Sequence, residues 1–186
     1  DATASVAHEN AENADDAVNE AVAKTSFDPA AGHICCIGFA IEDGPVKYYE
    51  ARTVEDERHA IEGFFLSLPK MGIVRMIGHN VAAFDLRFLL CRAVVLGVPI
   101  PTCIPRDIKP WSDSIFDTMT AWAGARGTIS QDRLAKALGL DGKGDFDGSM
   151  VAAAGLAGEH ATIARYCMSD VETVRAIHKR FVAVGF

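Results

Sequence analysis

Apolar residues along the chain switch between strand-like and helix-like spacing, and the switches mark its elements. His33–Ile41 is an apolar run of the kind found in well-buried strands, entered through a turn at Phe27-Asp28-Pro29 and Gly32. Glu42-Asp43-Gly44-Pro45 reads as a hairpin turn, and Val46–Ala51, alternating around two tyrosines, as the returning strand. Thr53 followed by Asp56 is an Asp variant of the capping box. Ile61, Phe64, Phe65 and Leu68 give the helix behind it a buried stripe that stops at Pro69. A second strand-like run (Ile73, Val74, Met76, Ile77) ends in Gly78-His79-Asn80. Phe84, Leu86, Phe88, Leu89 and Leu90 then recur as in a helix, with Asp85 in its first turn and Gly97-Val98-Pro99 closing it. After a loop rich in Pro and Asp, Ser114–Met119 reads as a short strand or strand end carrying Asp117, and Ser130 caps a helix over Gln131–Leu138. A loop at Gly142–Gly148 precedes the last helix, Ala161–Val184. Its inward stripe is Ile163, Cys167, Val171, Val174, Ile177 and Phe181.

Residues 1–24 stand apart. They are rich in Ala, Glu, Asp and Asn, and the small apolar residues Ala14, Ala17, Val18, Ala21 and Val22 fit a short acidic helix that buries little surface. The rest, 25–186, has the hydrophobic content of one well-cored domain: the whole chain is 49% hydrophobic and 23% charged over 186 residues. No apolar run approaches the roughly 18 residues of a membrane span, and no signal-peptide pattern opens the chain, so a cytoplasmic protein without membrane partners is expected. The five cysteines are odd in number and lack C-x-x-C spacing, which points to reduced thiols. A net charge of −7 argues against coating nucleic acid through a broad basic face. It leaves open an enzyme that holds a strand end through metal ions, because the cations then supply the positive charge.

The chemistry concentrates at the strand-to-helix corner and on the last helix. Asp85 and Asp170 sit beside apolar residues on separate helices, and Tyr166 lies one turn before Asp170 on the same face. Any one such Asp is by default a solvated or ion-paired surface residue. Carboxylates converging on one site repel each other unless divalent cations join them, and Mg²⁺ or Mn²⁺ prefer such oxygen ligands. Two ions about 4 Å apart can activate a water and stabilise the leaving oxygen of a phosphodiester. His79, beside Asn80 at the strand end, is either a base or a hydrogen-bonding support, and Asp117-Thr118 either a catalytic group or a strand-end cap. There is no G-x-S-x-G elbow, phosphate-binding glycine loop or His pair at metal spacing.

These residues carry a resemblance. His79-Asn80-x-x-x-Phe84-Asp85 resembles the second motif, and Tyr166-x-x-x-Asp170 the third, of the DEDD superfamily of 3′–5′ exonucleases, in the subclass that uses Tyr where its sister uses His. The runs Ala23–Pro29, Cys36-Ile37-Gly38, Phe116–Met119 and Lys143–Gly148 are similar to the predicted exonuclease family related to the proofreading domain of family B DNA polymerases. The resemblance implies an α/β, ribonuclease H-like fold: a mixed sheet of about five strands flanked by helices on both faces. It also implies metal-dependent hydrolysis of terminal phosphodiesters at the 3′ end of DNA, preferably single-stranded. Asp85 and Asp170 become ligands of Mg²⁺ or Mn²⁺, Tyr166 the hydroxyl that orients the water, and Asn80, Phe84 and His79 substrate contacts.

One motif departs. The superfamily's Asp-x-Glu on the first strand supplies two of four acidic ligands, and no such strand precedes His33. We read the sequence as beginning downstream of it, so that the two-ion form depends on that motif. Glu42-Asp43, the only acidic pair at the end of the first visible strand, is reversed in order and lies in a turn. Two further readings stay open: a catalytically degenerate fold that binds nucleic acid or a partner protein, and an exonuclease directed at RNA, since no residue announces how the site meets a 2′-hydroxyl.

Overall fold

The computed structural model describes residues 25–186 except Asp107, Pro110, Trp111, Lys143 and Asp145; the acidic helix expected within 1–24 lies outside them. The local end signals hold. Thr53 accepts a hydrogen bond from the Asp56 N–H at 3.1 Å, and the Asp56 carboxylate accepts one from the Thr53 N–H at 3.0 Å. This reciprocal pair opens helix α1 (Val54–Ser67). Strands β1 (Cys36–Phe39) and β2 (Lys47–Glu50) form the expected antiparallel hairpin, with Gly38 opposite Tyr48. The next strand, β3 (Met76–Gly78), pairs in parallel with β4 (Ile115–Asp117). Between them lies α2 (Asp85–Val95), and after β4 come α3 (Thr118–Ala123), α4 (Gln131–Ala137), a 3₁₀ turn at Gly148–Met150, α5 (Val151–Leu156) and α6 (His160–Ala183).

Alternation along β1 sends its residues to opposite faces. Phe39 meets Phe64 of α1 edge-on at 5.0 Å between ring centroids and stacks with Tyr49 at 5.9 Å. Gly38, next to it, faces α6: a Cβ placed there would lie 2.7 Å from the Cys167 sulfur. The β1–β2 sheet is therefore sandwiched between α1 and α6, as expected. Ile115 and Phe116 of β4 divide in the same way. Ile115 joins the main core with Ile61, Phe64, Leu86, Leu89 and Ile104, and Phe116 joins a second cluster with Leu134, Ile177 and Phe181.

Among the described residues the sheet is smaller than the expected single mixed sheet of about five strands. Among the described residues there are two two-stranded sheets, β1–β2 and β3–β4, with no ladder joining them. The strands are only three or four residues long, and the free edge of β1 is used differently: the Gly38 N–H donates to the Cys167 thiol of α6. α6 packs against both sheets instead of a strand doing so. Its stripe is accordingly buried at Ile163, Ile177 and Phe181, while Cys167, Val171 and Val174 in the middle stay half-exposed. Among the described residues the architecture is mixed α/β, with small sheets and six α-helices. Ser114–Met119 also divides, since the strand ends at Asp117 and a helix follows at once.

A buried charge cluster joins the first turn to two helices. Glu57 of α1 is fully buried and receives both Nε and Nη2 of Arg92 of α2, at 2.8 and 2.7 Å. His33 Nδ1 lies 3.0 Å from the same carboxylate, and the Ile34 N–H donates to it at 2.9 Å. Arg92 also donates to the Pro29 carbonyl at 3.1 Å. Burial works against the Glu57 charge, yet the hydrogen bonds from Arg92, His33 and Ile34 outweigh it and hold the carboxyl at about 2.

Candidate active site

The corner after β3 is built around Asp117. Its buried carboxylate accepts from the Asn80 N–H at 3.0 Å and the Ala82 N–H at 3.2 Å, and also caps α3 through Met119 and Thr120. Of the two sequence readings for Asp117, the cap is the one this geometry fits. Asn80 takes a positive φ of 59°, a left-handed conformation that Asn tolerates better than most residues. Gly78 is required because a Cβ there would overlap the Val81 side chain. This tight corner delivers Phe84 as the N-cap of α2 and Asp85 as its first residue, where the helix dipole favours a negative charge.

A second chain of contacts places Asp170. His79 is half-buried, with Nδ1 at 2.9 Å from Thr118 Oγ1 and Nε2 at 2.8 Å from the Ile129 carbonyl, so both ring nitrogens meet protein partners. That fastens the strand end to the segment in which Ser130 caps α4 by accepting from the Arg133 N–H. Gln131, the first residue of α4, donates through Nε2 to the Asp170 backbone carbonyl at 3.1 Å and to Oδ1 at 3.3 Å. Sequence reasoning treated Gln131 only as a helix residue. Its signal was its place one turn before Leu134 and Ala135 on the inward stripe, where a polar side chain needs a partner.

Cys167 lies within electrostatic range of both proposed ligands. Its thiol receives a hydrogen bond from Cys36, which with that from the Gly38 N–H draws its pKa down, while burial and the charges of Asp170 and Asp85 push the other way. Both carboxylates thus act on one sulfur, Asp170 from the same helix and Asp85 from the start of α2. Cys36 is correspondingly pushed up, by its hydrogen bond to Cys167 and then by burial. Tyr166, one turn before Asp170, carries the Phe146 ring against its own at 5.1 Å. Phe84 sits between Phe27 and Phe88, each at 5.8 Å. Among the described residues no three His, Cys, Asp or Glu side chains form a metal-holding group. All five cysteines are free thiols.

The closeness of α6 to β1 is itself testable. Gly38→Ala sets a methyl against the Cys167 sulfur and carbonyl, 2.7 and 3.1 Å away, and is expected to lower stability by roughly 1–3 kcal/mol in urea unfolding. Cys167→Ala in the same chain should recover part of that loss, and strict additivity of the two changes would contradict the packing described.

The fold of the described residues is mixed α/β. Residues 31–184 match the family model described as a predicted 3′–5′ exonuclease related to the exonuclease domain of PolB, and the chain belongs to that family. No curated protein and no solved structure matches it significantly. Among the described residues no helix is long and apolar enough to cross a membrane.

Proposed function

We propose that the protein is a metal-dependent exonuclease that removes nucleotides from the 3′ end of DNA. The observation that carries this reading is the exonuclease-family match over residues 31–184, within which Asp85 opens α2 and Tyr166 and Asp170 lie one turn apart on α6. The donors are hard carboxylate oxygens, which suit Mg²⁺ or Mn²⁺, and Asp85 and Asp170 would hold the ion. When bound, such ions supply an activated water and positive charge for the leaving oxygen; a two-ion centre needs carboxylates beyond these two. Tyr166 orients the attacking water through its hydroxyl. Phe84 offers its ring to the terminal base, and the Asn80 side chain, on its left-handed corner, contacts the strand end. His79 keeps the corner in place, fastened to Thr118 and Ile129, and lies beside that contact.

Incubation of a labelled single-stranded oligodeoxynucleotide with Mg²⁺ or Mn²⁺ should release nucleoside monophosphates one at a time from the 3′ end, and EDTA should stop it. Faster digestion of RNA of the same sequence would make the protein an exoribonuclease. Binding without digestion of either would leave a nucleic-acid-binding module and remove the catalytic reading.

A further inference from the structure

Among the described residues Phe27 is the most exposed aromatic. It is 76% exposed, yet the turn that carries it is tightly built. The Asp28 N–H donates to the Thr25 carbonyl at 3.0 Å, the Gly32 N–H to the Asp28 carbonyl at 2.6 Å and the Ala30 N–H to the Asp28 carboxylate at 2.9 Å. Gly32 lets the turn close on α2: a Cβ there would lie 2.5 Å from the Thr25 carbonyl and 2.8 Å from the Phe88 ring. Arg92, fixed by Glu57, holds the Pro29 carbonyl from below. A large apolar ring held in water forgoes most of the roughly 1.5–3 kcal/mol that burial would give. Among the described residues its ring neighbour is Phe84, at 5.8 Å and tilted by 51°, the residue immediately before Asp85.

We infer that Phe27 is a substrate-positioning residue that stacks on the base next to the terminal one of a single-stranded 3′ end, extending by one ring the platform that Phe84 begins. The inference rests on the exonuclease reading and names how that site grips its substrate. Every base offers a π-face, so such a ring binds strands with little regard to sequence, whereas salt-bridged basic residues would make binding depend on phosphate count. A rigid turn suits this task because the ring needs no ordering when the strand arrives.

The test compares Phe27→Ala, Phe27→Leu and Phe27→Trp with wild type on a single-stranded oligodeoxynucleotide. Stacking is worth about ten-fold or more in affinity per base, so Phe27→Ala should raise KM about ten-fold and leave kcat within about two-fold. Phe27→Trp should keep wild-type values. Phe27→Leu restores apolar bulk without a π-face and should resemble Phe27→Ala; wild-type behaviour of the Leu variant would assign Phe27 to packing and overturn the inference. On an oligonucleotide abasic at the penultimate position, wild type and Phe27→Ala should converge, and a persisting difference would also overturn it. Anisotropy of a fluorescein-labelled oligothymidylate in Ca²⁺ gives the same comparison without turnover. Cleavage by wild type with unchanged KM and Kd in Phe27→Ala sinks the stacking role alone. Wild type that neither binds nor cleaves sinks it together with the exonuclease reading.

Discussion

Asp170→Asn should lower kcat for 3′-end hydrolysis by about a thousand-fold while the protein stays folded. The substitution keeps the side chain's size and an oxygen able to accept from Gln131 Nε2, now 3.3 Å away, so the contact that fixes α6 against α4 persists. What goes is a charge. A divalent cation held by this carboxylate would stabilise the developing negative charge of the transition state by several kcal/mol, and about 4 kcal/mol corresponds to roughly a thousand-fold. Asp85→Asn should fall by a similar factor, although it sits on a different helix. The double variant should be little worse than either single one, because residues that act as a unit lose their whole effect once one is gone. Initial rates on a 3′-labelled strand, with circular dichroism as a check on folding, measure all three. Wild-type rates in either single variant would remove that residue from the chemistry, and two losses that simply multiply would show that the residues act independently and not as a unit. Asp117→Asn makes the contrast: its carboxylate is occupied by backbone N–H groups, and its loss should appear in stability before it appears in rate.

What the sequence made legible was local. The Thr53–Asp56 box and the Ser130 cap depend on residues three apart, and both stand where the spacing puts them. The motif residues were legible as well: Asp85 opens α2, and Tyr166 and Asp170 share a face of α6. The arrangement of the sheets was not. Strands of three or four residues carry too few alternations to state which edge joins which, and an edge N–H such as that of Gly38 can go to a thiol on a helix instead of to a strand. Gln131 was overlooked for a related reason, since its partner Asp170 lies 39 positions away. Stripe membership could have exposed it, and the same is true of Glu57, one turn before Ile61, and Arg92, one turn after Leu89. A polar residue on an inward stripe announces a partner without naming it.

Glu57 is where that omission has its largest energetic consequence. Removing it as Glu57→Ala strands the Arg92 guanidinium in the core, with only the Pro29 carbonyl left of its recorded partners, and should destabilise the protein by about 3–5 kcal/mol. A domain of this size has roughly 5–15 kcal/mol of stability in all, so the variant should unfold at much lower urea or be recovered only in part. Arg92→Met combined with Glu57→Leu should be far milder than either polar residue removed alone, because a matched apolar pair leaves no charge buried. The cluster also sets a pH window whose two edges have opposite signs. Glu57 is held at about 2, below its unfolded value, so its contribution is complete above the unfolded carboxylate range and fades as pH falls toward 2. His33 is raised, chiefly by its hydrogen bond to Glu57 against the cost of burial, so its contribution is complete below the unfolded value of 6.5 and fades as pH climbs through the raised one. Stability measured by urea unfolding should therefore peak between about pH 4.5 and 6.5 as far as this cluster governs it. His33→Gln should flatten the alkaline side and leave the acid side in place. An unchanged alkaline slope in that variant would take His33 out of the account and leave the Glu57–Arg92 pair to explain the acid edge alone.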